Sequence, residues 1–129
     1  MKYLLDTNVV IAAIAGEPAI TSRLKEQDVS DFGVSSVVMH ELYSGAFRSV
    51  RVEANIARVE ALRFPVLDLS KRDGRHAGEL RADLARKGTP IGPYDVLIAG
   101  QALARSLTLV TRNVAEFVRV DGLVVESWQ

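Results

Sequence analysis

A chain of 129 residues, 48% hydrophobic and 25% charged, is enough for one domain around one continuous core, and its composition excludes disorder and fibrous repeats. No apolar run approaches the ~20 residues needed to span a bilayer, and the absence of cysteine excludes disulfides, thiolate metal sites and thiol nucleophiles. A first strand that begins almost at Met1 leaves no room for a secretory signal, so the expected compartment is the cytoplasm, with no membrane partner.

Lys2-Tyr3-Leu4-Leu5 reads as a short buried strand, and Asp6-Thr7-Asn8 after it as the cap of a helix that is apolar nearly all round from Val9 to Ala15. Gly16 stops that helix, and Pro18 suits the first turn of a second one running to about Gln27. Phe32 to Ser35 is a second strand, and Ser35 or Ser36 caps a helix from Val37 to about Arg48. Another helix covers Arg51 to Leu62, where Ile56, Val59 and Leu62 fall at helical spacing. Phe64 to Leu69 is a third strand. Ser70 with Asp73 has the spacing of a capping box for a long helix ending at Gly88, with Ala77, Leu80 and Leu84 as its inward stripe. Thr89-Pro90-Ile91-Gly92-Pro93 is a stiff loop, Asp95 opens a helix to about Ser106, and strands follow at Leu107 to Thr111 and Leu123 to Glu126. Strands alternating with helices predict an α/β domain around a mostly parallel sheet.

In such sheets, ligands collect beyond the carboxyl ends of the strands. Asp6 and the run Thr111-Arg112-Asn113 fall at such ends, Asp95 at a helix start, and Glu41 inside the helix after the second strand. Carboxylates and an amide converging there would form an all-oxygen site suited to Mg²⁺ or Mn²⁺. Each residue also has an ordinary role open to it: Asp6 and Asp95 as N-caps, Asn113 as a turn residue, Glu41 and Glu116 as solvated helix glutamates. The other chemistry-bearing residues have less support. His40 and His76 lack zinc-site spacing, Gly88 and Gly92 match no phosphate-binding loop, and Ser35, Ser36 and Ser44 lack a nucleophile-elbow setting. Trp128 reads as a packing plug.

Net charge is +0, but it divides unevenly: three basic against six acidic residues up to Phe47, then thirteen against ten from Arg48 onward. Such an arginine-rich latter part can present a basic face to a polyanion.

The segments LLDTNVVIAAI, SSVVMHELYSGA and GTPIGPYDVLIAGQALARSLTLVTRNVAEF, in that order, resemble the PIN-domain ribonucleases, and within them the VapC-type toxins of bacterial toxin–antitoxin modules. The resemblance implies a three-layer α/β/α domain, residues 1–129, around a parallel sheet of about four or five strands. It also implies endonucleolytic cleavage of structured RNA such as tRNA or rRNA, dependent on Mg²⁺ or Mn²⁺. By position, Asp6, Glu41 and Asp95 correspond to the family's metal-holding acids. Asn113 stands where many relatives have a fourth acid, and Glu116 one turn later is placed to supply a carboxylate. Thr7, Asn8 and Thr111 correspond to residues that orient the site. Arg112 leads the candidates for RNA-phosphate contact, with Arg48, Arg51, Arg75, Arg81, Arg86 and Lys87 behind it. The implied partners are a cognate VapB-type antitoxin and a second copy of the chain, with the apolar helices Val9–Ile14 and Val37–Tyr43 as candidate docking surfaces. Two other functions have less support: an aspartyl-nucleophile phosphatase using Asp6, which wants a second aspartate where Asn8 stands, and a sheet-edge RNA-binding module that has lost catalysis because of Asn113.

Overall fold

The computed structural model describes residues 1–128. Five parallel strands, β1 (Tyr3–Leu5), β2 (Phe32–Ser35), β3 (Val66–Leu67), β4 (Thr108–Val110) and β5 (Val125–Glu126), form one sheet in the order β3-β2-β1-β4-β5. Seven helices connect them: α1 (Thr7–Ile14), α2 (Pro18–Lys25), α3 (Ser36–Phe47), α4 (Val52–Glu60), α5 (Lys71–Arg86), α6 (Pro93–Ala104) and the short α7 (Val114–Phe117). Successive strand residues point to opposite faces, and Leu4 and Leu5 are both 0% exposed, so helices cover the sheet on both sides. This is the parallel α/β domain the sequence pattern predicts and the three-layer arrangement the family resemblance implies, at the upper end of its strand count.

The two poles of the sheet differ in chemistry. At the amino end, Tyr3 and Phe32 are opposite each other in the β1–β2 register, and Phe64 and Trp128 pack edge-on against Phe32. Trp128, 3% exposed, is the expected plug, with the Arg23 guanidinium over its ring. At the carboxyl end, the chain leaves β1 toward β2 and β3 and later returns to β4 on the other side of β1. The crevice between those outgoing connections is the topological switch point, where α/β proteins place their ligands.

Helix ends follow their sequence signals. Ser70 and Asp73 form the complete capping box of α5, and Ser35 accepts the Val37 amide at the start of α3. Gly16 and Gly88 take positive φ (73° and 71°) just beyond α1 and α5, a conformation costly for any residue with a Cβ. Asp95 departs from expectation: α6 begins at Pro93 with Gly92 as its cap, which leaves the Asp95 carboxylate free of backbone capping. The end strands are shorter than the apolar runs that announced them, because hydrogen-bonded pairing ends before hydrophobic burial does.

α5 and α6 pack with close backbone approach: a Cβ on Gly100 would lie 2.6 Å from the Ala77 main chain. A polar clamp secures this pair. Asp73, 1% exposed, accepts from the Ser70 amide (2.9 Å), Gln101 Nε2 (3.2 Å) and the Arg105 guanidinium (2.9 and 3.3 Å). Burial alone would raise the Asp73 pKa, but Arg105 and the amide donors outweigh it and hold the carboxyl below its ordinary value.

Candidate functional site

β1 delivers Asp6 to the switch point, where its backbone amide still bonds Val110 O of β4 (2.9 Å). Its side chain, in a residue 4% exposed, caps α1 by accepting the Thr7 amide at Oδ1 (2.9 Å). Oδ2 accepts the Thr111 hydroxyl (2.7 Å) and, more weakly, Asn8 Nδ2 (3.4 Å). Thus Asp6 is both an N-cap and a member of a polar cluster, and the sequence alternatives describe one residue doing two things. Asn8 ties the two strand ends together: its Oδ1 accepts the Arg112 amide (3.1 Å). Thr111, fully buried, also receives the Asn113 amide on its hydroxyl (3.0 Å).

The other acids arrive on helices. Glu41 of α3 accepts the Thr7 hydroxyl at Oε1 (3.0 Å). Glu116 of α7 accepts the Gly92 amide (2.9 Å) and a short hydrogen bond from Asn113 Nδ2. Asp95, in the first turn of α6, feels the charges of Asp6, Glu116 and Glu41. Burial first and these neighbours second push its pKa up to about 6. Asp6 is raised too, again chiefly by burial, with Glu116 repelling it and Thr111, the Thr7 amide and Asn8 opposing the shift. None of the four carboxylates is in an ion pair among the described residues.

The structure therefore brings together Asp6, Thr7, Asn8, Glu41, Asp95, Thr111, Asn113 and Glu116. Asn113 does not stand in as a fourth acid; it is exposed and steers Glu116. Arg112 gives its main-chain amide to Asn8, and its guanidinium pairs with Glu17, the residue before α2. Glu17 carried no sequence signal, because its partner is 95 residues away. Among the other basic candidates, Arg86 pairs with Asp83, and Lys87 with Asp83 and Asp121, whereas Arg48 lines the same cleft as Thr7 and Glu41.

No three acids among the described residues close into a ready-made metal cage. The donor set, carboxylate oxygens with hydroxyl and amide groups around them, nonetheless fits a hard cation that prefers oxygen ligands and keeps several of its waters, as Mg²⁺ does. Uncompensated, mutually repelling carboxylates are the chemistry such an ion relieves.

Residues 3–123 match the PIN domain family. The chain is 42% identical over 130 residues to a tRNA(fMet)-specific endonuclease VapC of Salmonella typhimurium, covering 99% of this chain and 98% of the relative. It is 40% identical to Ribonuclease VapC2 of Haemophilus influenzae, with the same coverage. Among solved structures, DNA-bound VapBC from Salmonella typhimurium superposes with a TM-score of 0.95 at 43% identity, over 100% of this chain and 99% of that one. VapBC2 from Rickettsia felis gives 0.93 at 34% identity, with both chains fully covered. Nuclease chemistry is thereby preferred over the phosphatase and the non-catalytic binder, and the chain belongs to the PIN-domain family and, within it, to the VapC endoribonucleases.

Proposed function

We propose that this protein is a Mg²⁺- or Mn²⁺-dependent endoribonuclease toxin acting in the cytoplasm on structured RNA, and that a VapB-type antitoxin restrains it. The observation that carries the metal dependence is the unneutralised carboxylate group at the switch point. Burial first, and neighbouring carboxylates second, raise the pKa of Asp6 and Asp95, and no cation of the described residues pairs with either.

Asp6, Glu41 and Asp95 would hold the cation, which when bound lowers the pKa of a coordinated water and neutralises charge on the phosphoryl oxygens. The chain's own residues set up the rest. Thr111 and the Thr7 amide fix the two oxygens of Asp6, and the Thr7 hydroxyl fixes Glu41. Such supporting donors typically matter about 10- to 100-fold in metal affinity or activity. Glu116 anchors the Gly92 amide and thereby sets the start of α6, which carries Asp95. Asp95, with its pKa near 6, is the carboxyl that must lose a proton before a cation can use it at full charge.

Because relatives are named for tRNA(fMet) and solved as VapBC complexes, initiator tRNA is the first substrate to try and a VapB-type protein the partner. A homodimer completes the proposed assembly. The test is end-labelled small RNA incubated with purified protein, without antitoxin, in Mg²⁺, Mn²⁺ or chelator. Discrete metal-dependent fragments that are missing with Asp6→Asn are expected. Fragments that persist in chelator would remove the metal from the mechanism, and fragments that persist with Asp6→Asn would remove Asp6.

A further inference from the structure

Two exposed rings stand where the cleft opens. His40 immediately precedes Glu41 on α3, and Tyr94 immediately precedes Asp95 on α6, so each ring is the chain neighbour of a site carboxylate. Their centroids are 5.0 Å apart with planes at 61°, and Tyr94 keeps 48% of its surface in water. Neither belongs to the hydrophobic core. Both line a cleft of about 350 Å³ that also includes Thr7, Glu41, Ser44 and Arg48.

His40, Ser44 and Arg48 recur every four residues and so share one face of α3. Arg48 donates from Nε to the Ser44 carbonyl (3.2 Å) and, among the described residues, forms no ion pair. That sets it apart from Arg112, which Glu17 neutralises. Leading away from Glu41, the strip thus offers two aromatic rings, a hydroxyl and an uncompensated guanidinium. That sequence of groups matches a nucleotide: a flat base, a sugar hydroxyl and a phosphate. A base reaches such rings only when it is outside a duplex.

We propose that this strip holds the unpaired nucleotide adjoining the scissile phosphate, its base stacked on Tyr94, whose ring His40 holds in place edge-on, and its phosphate on Arg48; this rests on the ribonuclease reading of the neighbouring carboxylates. The pair thereby selects looped-out RNA and sets which phosphate reaches the site.

The test compares wild type, His40→Ala, Tyr94→Ala, Tyr94→Phe and Arg48→Ala on the RNA cut by wild type, intact or with an abasic nucleotide beside the cut. The two ring-removing variants should raise KM about tenfold with kcat nearly unchanged, and Tyr94→Phe should restore wild-type KM. The abasic RNA should cost wild type a similar factor and cost Tyr94→Ala nothing further. Arg48→Ala should lower the salt slope of binding by about one. Equal losses on abasic RNA for wild type and Tyr94→Ala, or an unchanged KM in both ring variants, would overturn the proposal. A second readout needs no cleavage: a fluorescent purine analogue placed in turn at the unpaired loop positions of initiator tRNA, bound to Asp6→Asn protein, should be quenched at one of them, and Tyr94→Ala should abolish the quenching. Quenching that depends on Tyr94, with no RNA cut by wild type, would keep the subsite and overturn the nuclease reading. Absence of both quenching and cleavage would overturn both.

Discussion

Two buried aspartates receive opposite treatment in this domain. Asp73 lies between α5 and α6 with Arg105, Gln101 and the Ser70 amide around it, and its carboxyl is held below the ordinary range. Asp6 lies at the switch point with two hydroxyl or amide donors and a backbone amide, no cation, and other acids nearby, and its carboxyl is raised. Burial penalises both charges, so the difference lies in whether the fold supplies a compensating cation. The clamp adds stability; the carboxylate group, on the proposed reading, gives some up for the sake of binding a cation.

The largest effect that tests this contrast is on catalysis. Asp6→Asn keeps an oxygen for the Thr7 amide and should reduce RNA cleavage on the order of a thousandfold, while Tm at pH 7 stays level or rises. A fall in Tm comparable to that of a core substitution would mean that Asp6 is structural after all. Asp73→Ala should do the reverse. It strands Arg105, which keeps about a third of its side chain in water, so the cost falls at the low end for a broken buried pair, about 3 kcal/mol or on the order of 10 °C in Tm. Cleavage measured well below the new Tm should stay within a few fold of wild type.

A pH series in chelator extends the contrast to Asp95, the site's other raised aspartate. Asp95 binds its proton more tightly when folded, so the stability associated with that proton is present below pH 3.8 and lost as pH rises toward about 6. Asp73 has the opposite sign: its contribution is present above pH 3.8 and lost as pH falls through its lowered folded value. Wild-type Tm should therefore decline between pH 4 and 6.5 relative to Asp95→Asn, and Mg²⁺ should restore it at pH 7 in wild type only. Parallel curves would show that burial and the neighbouring acids do not raise the Asp95 pKa. The smallest effect concerns Glu17→Gln, which releases Arg112. RNA binding should tighten a few fold and its salt slope steepen by about one, read by filter binding across a salt series.

Much of this was legible in the sequence because local signals and the global fold agree. The Ser70–Asp73 box, the Gly16 and Gly88 stops and the apolar strands each match their place in the structure. The carboxylates were legible as a group, through their positions at strand ends and helix starts. What stayed hidden was pairing over long separations: Arg112 with Glu17, Asp73 with Arg105, and the strand order itself. A local pattern shows that Arg112 is basic and near the site, but not that its charge is already satisfied. Asp95 misled for a related reason, since Gly92-Pro93 starts the helix ahead of it and leaves its carboxylate unused by the cap.

The placement of β1 between β2 and β4 has a consequence in time. Asp6 and its closest side-chain donor, Thr111, are separated by 105 residues. At typical synthesis rates, roughly 5 to 20 s pass between their appearances in a growing chain. Asp6 and Glu41 are made early, but the strand that fixes Asp6 and the helix that carries Asp95 come late. A nascent copy therefore carries Asp6 and Glu41 on a sheet of β1, β2 and β3 well before β4, Thr111 and the helix bearing Asp95 exist to complete the carboxylate group.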